Sequence, residues 1–396
     1  MALNLIRNSR VYYTTNLTST GQVATSGFTT ANTQQIQVQD GFSFSQNTGQ
    51  ETVTTNEAGA APVRGQRSFN TSLEPVDWSF STYIRPKFQE GTSTVTPGTL
   101  DADDYVGAEE AVLWNSLSGT AAIGSAGAGW TKTTGPSTPY STVAFGNSNA
   151  HQLMSFGLII QFENVTYVID NCAIDSATID FGLDAIASIA WAGKGTTMRQ
   201  VATAVTVDDA GAMTGGLTGN VTLKDTTAGY IANKLSTMTL AAAAFGGLSS
   251  KSYTVALTGG NLTINNNLTY LTPANLGVVN QPITYFTGTR AITANVTAYL
   301  KTGTNESSTL LKDMLTASAA STENKFAAEI SLGGSTNTNK VVLSIPTAQL
   351  TIPSITSEQI IATSITMTAQ GATTGTYDLE AKNELEVKYY ATQNAA

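Results

Sequence analysis

Charge is scarce in this chain. Asp, Glu, Lys and Arg make up only 12% of the 396 residues, about half of the usual quarter. The balance is acidic, with a formal net charge of −9, so no basic stripe is available to wrap nucleic acid by its phosphates. Cysteine occurs once, at Cys172. That excludes an intrachain disulfide or a cysteine metal cluster, and a buried structural thiol is expected. Histidine also occurs once, at His151. Any Ser-His-Asp or Cys-His device would have to use it, and no Gly-x-Ser-x-Gly elbow stands nearby. It is expected at a strand edge or in a loop. No apolar run approaches the ~18 to 20 residues of a membrane helix. The opening "MALNLIRNSR" has too short an apolar stretch for a signal peptide, so a cytosol-like compartment is expected.

The remaining places where chemistry could hide are weak. "DADDYVGAEE" (101–110) gathers five carboxylates, but it lacks the glycine and glutamate spacing of a calcium loop. Acids just before a helix favour its positive end, and that is the role expected here. "GSAGAG" (124–129) follows no buried strand and opens no clear helix, which leaves it poor as a phosphate loop. Trp78, Trp114 and Trp191 sit in periodic elements, where packing is their ordinary role, and Met367 joins them as a core position. No catalytic, metal or cofactor site is expected, and the chain does not read as an enzyme.

What is abundant is threonine, alanine, asparagine, serine and glycine, arranged at period two. "RVYYTTN", "QIQVQDGFSFS", "VDWSFSTYI", "GLIIQFENVTYVI", "SATIDFGL", "SYTVALTG", "AITANVTAYL" and "KVVLSI" all alternate, so the fold class is mainly β. Helical spacing occurs at 107–119 and 306–318, each a short helix with a polar entry and a small-residue exit. Segments 89–104, 118–150 and 202–229 are expected as loops or small insertions.

The chain also repeats itself. "AVLWNSL" matches "TLLKDML", "LIRNSRVYYTT" matches "YIANKLSTMTL", and "WSFSTYI" matches "ANVTAYL". "APVRGQRSF" follows "QPITYFTGTRAI" through Arg67 and Arg290, and "IASIAWAGKG" follows "ATSITMTAQG" through Trp191 and Met367. The shared order implies two copies of one unit, 1–228 and 229–396, the first carrying loop insertions near 89–150 and 196–228. Each unit contains a long arm. Neither "FSFSQNTGQETVTTNEAGAAPVRGQRSF" nor "LTYLTPANLGVVNQPITYFTGTRAI" can offset its ordering entropy by burial within its own unit, so an outside contact must order it.

"NSRVYYTTNL", "QVQDGFSFSQ", "GAAPVRGQRSFNTSLEPVDWSFSTYIRP" and "IDSATIDFGLDAIASIAWAGKG" resemble the tail tube proteins of tailed bacteriophages. The resemblance covers the first 90 residues and 157–195 most specifically, and "LTINNNLTYLTP" looks like the family's second unit. It implies two tandem β-sandwich or half-barrel units, each with one short α-helix. Six units would close a ring, and rings would stack into the channel for DNA ejection. With two units per chain, the expected ring is a trimer with pseudo-sixfold symmetry.

The resemblance further implies that Gln46 to Gln66 and Leu271 to Thr289 are stacking arms. Gln46, Glu51, Glu57, Arg64, Arg67, Pro282, Tyr285, Phe286 and Arg290 would then make contacts between subunits or rings. An acidic wall would let DNA slide, with Asp180, Asp184, Glu380, Glu384 and Glu386 as candidate liners. Implied partners are further copies of the chain, baseplate or tip proteins, tape measure and terminator proteins, a sheath in some tails, and double-stranded DNA passing without specific binding. The implied location is the virion tail, assembled in the host cytoplasm. A capsid-decoration or receptor-binding virion protein would share the composition, but it would not need an equivalent arm in each unit.

Overall fold

The computed structural model describes residues 8–53, 66–89, 105–119, 130–133, 140–145, 153–226, 229–244, 251–320, 324–333, 339–356, 360–370 and 384–391. The first half contains β1 (Arg10–Thr14), β2 (Thr33–Ile36), β3 (Ser43–Ser45), a hairpin of β4 (Thr48–Val53) and β5 (Arg67–Leu73), and β6 (Val76–Tyr83). It continues with α1 (Ala111–Ser118), β7 (Tyr140–Ala144), β8 (Phe156–Gln161), β9 (Thr166–Asp180), β10 (Ser188–Gly195) and β11 (Met198–Gln200). The second half contains β12 (Thr237–Ala244), β13 (Ser252–Val255), β14 (Leu257–Asn265), a hairpin of β15 (Leu268–Leu271) and β16 (Thr284–Thr287), and β17 (Ala291–Tyr299). Then come α2 (Ser307–Ala317), β18 (Lys325–Gly333), β19 (Lys340–Leu350), β20 (Ser354–Thr356), β21 (Ala362–Ala369) and β22 (Glu386–Tyr390). The chain is mainly β.

Strand β9 is a pivot between two layers. Its first part, Thr166–Cys172, pairs with β8, which continues through β1 to β2. Its second part, Ala173–Asp180, turns to β10, then β6, then β3. The second half shows the same contacts in the same order. β19 pairs with β18, which continues through β12 to β13; the end of β19 and then β20 turn to β21, β17 and β14. Even the irregularities correspond, a slip between Phe156 and Leu158 in one half and between Phe326 and Ala328 in the other.

The halves join where β9 also pairs with β14, from Ser176↔Asn265 to Asp180↔Asn261. One sheet therefore runs β3, β6, β10, β9, β14, β17, β21 and the β19–β20 edge. Alternation gives it a core face and an open face: Val76, Trp78, Phe80 and Thr82 of β6 point inward, and Asp77, Ser79, Ser81 and Tyr83 do not. The main apolar core behind it includes Trp78, Trp114, Trp191, Met367 and Cys172. β22 closes the back by pairing with both β19 and β7.

Two local expectations need correction. Residues 202–229 are more than loops: Thr206–Val207, Ala212–Thr214 and Thr218–Asn220 form a small sheet with Ser26–Phe28. It covers a second core that includes Phe28, Met213 and the cross-strand row Tyr12, Ile159, Val168. In the second half, the row on the corresponding strands is Thr239, Glu329, Ser344, and its threonine and glutamate meet solvent. The apolar row thus marks where the first half is covered on both faces.

The helices are also shorter than expected, since 107–108 belong to a strand, Tyr105–Ala108. Gly119 ends α1 in a left-handed conformation (φ 88°), its N–H bonded to the Asn115 carbonyl.

Glu110 does not cap α1 with its side chain. Its Oε1 instead accepts from the Tyr389 hydroxyl at 2.8 Å and the Arg85 N–H at 3.3 Å, while Trp114 Nε1 donates to the Tyr389 oxygen at 2.7 Å. This network ties the C-terminal strand to the first helix. Burial pushes Glu110 up to about 7 and Glu109, near Arg85, Lys87 and Asp225, up to about 6, both above the ordinary value of 4.5. The folded state therefore holds extra protons, and stability is lost as pH rises from about 4.5 through 7. We expect a higher Tm at pH 5 than at pH 8, with Glu110→Gln flattening most of the difference. A pH profile unchanged in that variant would assign the titration elsewhere.

Candidate assembly surfaces

Both hairpin arms leave the same end of the joined sheet, because Ser45 leads into β4 and Asn265 leads into β15 beside it. Gln46 pins the foot of the first arm: its Nε2 donates to the Glu74 and Thr196 carbonyls at 2.9 and 3.1 Å, and its Oε1 accepts from the Met198 N–H at 3.0 Å. Glu51 and Arg67 are exposed along that hairpin. Glu57 and Arg64 lie outside the described residues. In the second arm, Tyr285 donates to the Leu153 carbonyl at 2.7 Å and packs with its ring tilted against Tyr270 at 5.4 Å, which fixes the hairpin to the body. Burial raises the pKa of the Tyr285 hydroxyl. Pro282 is buried, whereas Phe286 is 56% exposed. Arg290 does not reach outward. It pairs with Glu384 of its own chain at 2.6 Å and lies over the Phe145 ring.

The arms touch each other: Leu73 N–H donates to the Asn280 carbonyl at 2.7 Å, and Asn280 N–H to the Thr71 carbonyl at 3.2 Å. Both carry exposed apolar side chains, Val53 and Phe69 on the otherwise polar first arm and Leu276, Val278, Val279 and Ile283 beside Phe286 on the second. Leu276 stands fully clear of the molecule.

The open face of the sheet is nearly free of charge. β10 offers Ser188, Ala190 and Ala192; β9 offers Ser176 and Thr178; β14 offers Asn261, Thr263 and Asn265; β17 offers Thr293, Asn295 and Thr297. Asp77 and Lys194 neutralise one another across strands at 2.6 Å. Of the candidate acidic liners, Asp180 alone has a described place on this face, and partial burial raises its carboxyl pKa. Asp184 lies in the turn beyond β9, 3.4 Å from Lys234. Glu384 is held by Arg290, Glu386 pairs with Lys388 on β22, and Glu380 lies outside the described residues.

Sequence reasoning expects open strand edges but does not say which strands form them. Among the described residues nothing pairs with the outer edge of β3, or with that of β20 and the 351–353 segment before it. Ile352 and Ile355 on this edge are 45% and 54% exposed. Ile179, central in the edge that β14 covers, is fully buried. One signal was available: Pro353 has no N–H to give a ladder, which marks an edge strand.

No family model matches the chain. Among characterised proteins it is 32% identical over 376 residues to the "Tail tube protein pb6" of Escherichia phage T5, an alignment covering 92% of this chain and 72% of that protein.

Proposed function

The chain belongs to the phage tail tube proteins, and we propose that three copies of it close into a ring, and that stacked rings make the channel for phage DNA. Its role is structural, as a tail tube subunit of the virion. The observation that carries the ring is the internal junction of β9 with β14, together with the uncovered edges of β3 and β20. An open sheet edge invites strand pairing, and a closed ring removes both edges.

The repeated strand order supports two units per chain, 1–228 and 229–396. Cross-strand rows supply the alignment. Phe44, Trp78, Gly193 and Ile174 form one row, and Leu262, Ala294, Met367 and Leu350 form the other. Trp78 thus matches Ala294, in line with the sequence repeat. Trp191 matches Ile365 instead of Met367, and Arg67, which opens β5, has no counterpart in Arg290, which precedes β17.

Carrying the internal junction to the free edges gives a register between copies. Thr178↔Thr263, Ile179↔Leu262 and Asp180↔Asn261 become Ser354↔Ser45, Ile355↔Phe44 and Thr356↔Ser43 of the next copy. Ile355 would then be buried as Ile179 is. Eight inner strands from each of three copies make a barrel of about 24 strands, roughly 37 to 52 Å across at the backbone depending on tilt. That leaves an aqueous bore for a duplex. The open face would line it with hydroxyls and amides, with Asp180 as its acid in place of a densely acidic wall. Such a wall gives phosphate no cation to bind, so DNA slides. Assembly in the host cytoplasm from a tip or baseplate protein, with tape measure and terminator proteins setting length, accords with the family resemblance.

The test places cysteines at Ser354 and Ser45. The internal counterparts Thr178 and Thr263 have their hydroxyl oxygens 3.2 Å apart, so the new thiols are within disulfide reach, and buried Cys172 stays inert. Oxidised assemblies are expected to run as covalent trimers under denaturing conditions. Intact tubes without cross-links would overturn the register, and closed hexamers would overturn the trimer.

A further inference from the structure

Lys87, Glu109 and Asp225 come from three separate stretches of sequence and meet at one point of the first half. Lys87 lies on the short strand Pro86–Gln89, directly opposite Gly107 of the paired strand Tyr105–Ala108. Glu109 stands one residue past that second strand, on the turn into α1. Asp225 is brought to them by the stretch that leaves the small sheet. Lys224 N–H donates to Gln35 Oε1 at 3.3 Å, and Gly229 N–H to the Pro86 carbonyl at 3.1 Å, which holds that stretch from both sides. The Asp225 N–H donates to the two Glu109 oxygens at 3.0 and 3.3 Å, and its Oδ2 pairs with Lys87 Nζ.

The setting differs from that of an exposed ion pair. The Lys87 and Asp225 side chains are only 30% and 21% exposed, and Glu109 is 6% exposed. Burial raises the Glu109 carboxyl to about 6; the Asp225 N–H, Arg85 and Lys87 act to lower it, and the Asp225 charge to raise it. Glu109 is therefore close enough to feel both members of the pair, and it keeps a proton more readily than a carboxylate in water. Lost hydration penalises the two charges, which favours the neutral amine and acid reached by moving one proton between them. An amine, a carboxyl carbon and a third carboxyl able to carry protons are the components of an amide-forming site.

We propose that Lys87 and Asp225 are a covalent cross-linking site, joined in the folded chain by an amide between Lys87 Nζ and Asp225 Cγ, with Glu109 carrying the protons. The Lys87 amine attacks the Asp225 carboxyl carbon and forms the N–C bond. Glu109 takes a proton from the nitrogen and delivers one to the departing oxygen, which leaves as water when the C–O bond breaks. Together Lys87 and Asp225 lose one water, Glu109 ends as it began, and no oxidant or co-reactant is consumed. The partial exposure of Asp225 gives that water a way out.

The bond closes a loop from residue 87 to residue 225. It fastens the stretch between the small sheet and Tyr230 to the body of the fold, where the Arg85 guanidinium already lies over the Tyr230 ring at 4.9 Å. A cross-link across so long a loop removes freedom from the unfolded chain. The small sheet would then stay tethered over the second core when the rest of the chain is loosened.

Intact mass and peptide mapping of the purified full chain test the bond. Lys87→Arg keeps the positive charge but has no amine that can be deprotonated to attack. Relative to the mass of its own sequence, the parent is expected to be lighter than this variant by one water. Trypsin should release from the parent a branched peptide joining 68–132 to 225–234, because a modified Lys87 is not cut. Glu109→Gln can still accept the Asp225 N–H but cannot shuttle protons, so it is expected to lose most of the branched peptide. A folded parent at full sequence mass, with ordinary cleavage after Lys87, would overturn the proposal and leave an ion pair only. A branched peptide formed in undiminished yield by Glu109→Gln would overturn the role of Glu109. The decisive reading is made on the parent, so it stands even where a variant fails to fold.

Discussion

Excising the first arm, Thr48 to Leu73, and closing the gap with Asn-Gly is expected to leave a folded subunit that still closes rings but forms no multi-ring tube. The cut is placed by structure. Thr48 and Leu73 are paired, and Glu74 N–H donates to the Asn47 carbonyl at 2.9 Å, so the two stumps already stand at hairpin distance. Gln46 must remain, because it holds the Thr196 and Met198 backbone and is part of the body rather than of the arm. A cut from Gln46 onward would confuse loss of stacking with damage to the first half. Little folding stability should be lost: the β5 residues Arg67–Thr71 are all exposed, and among its described residues the hairpin contributes none to the main core. The excision removes Val53 and Phe69 and deprives the second arm of its Asn280 contacts. Size-exclusion chromatography, the Ser354/Ser45 cross-link and electron microscopy separate the three levels of monomer, ring and tube. Long tubes from the excised chain would remove the arm from the stacking role.

Period two made the strands legible, because inward side chains such as Val76, Trp78 and Phe80 alternate with Asp77, Ser79 and Ser81. The open face was not legible from composition. Acidic residues near strands suggested a charged wall, but Glu384 and Glu386 are consumed by Arg290 and Lys388, and Asp77 by Lys194. Cross-strand ion pairs depend on register, and a slip of one residue turns every side chain over. Glu110 was misread for a related reason. Its position before α1 is local information, whereas its partner Tyr389 lies 279 residues away. The apolar row Tyr12, Ile159, Val168 breaks simple alternation because the small sheet covers its outer face, and no local pattern announces a cover from residues 206–220.

The largest change in stability is expected from Trp78→Ala, and its companion at Gly193 tests the repeat itself. Trp78 is 3% exposed, stacked on Phe80 at 5.3 Å and set edge-on to Phe156 at 5.8 Å. Truncating it empties a large core volume, which costs about 3 to 5 kcal/mol. Its indole N–H has no partner in the core, so the loss should fall toward the lower end of that range. Gly193 sits directly opposite, and a Cβ there would stand 2.3 Å from both the Trp78 ring and the Ala173 carbonyl. Gly193→Met alone is therefore destabilising through overlap. In the second half, the same pair of row positions is filled the other way round, by Ala294 and Met367, both fully buried. The small partner faces the large one in both rows, with the roles exchanged. Combining Trp78→Ala with Gly193→Met copies the second row into the first. The double variant should lose less stability than the two single changes together, by about 1 kcal/mol or more of coupling, with rescue held partial by the Ala173 carbonyl. Urea midpoints of the four proteins measure it. Additivity within about 0.5 kcal/mol would mean that the rows do not exchange volume, and it would remove the packing support for two equivalent units.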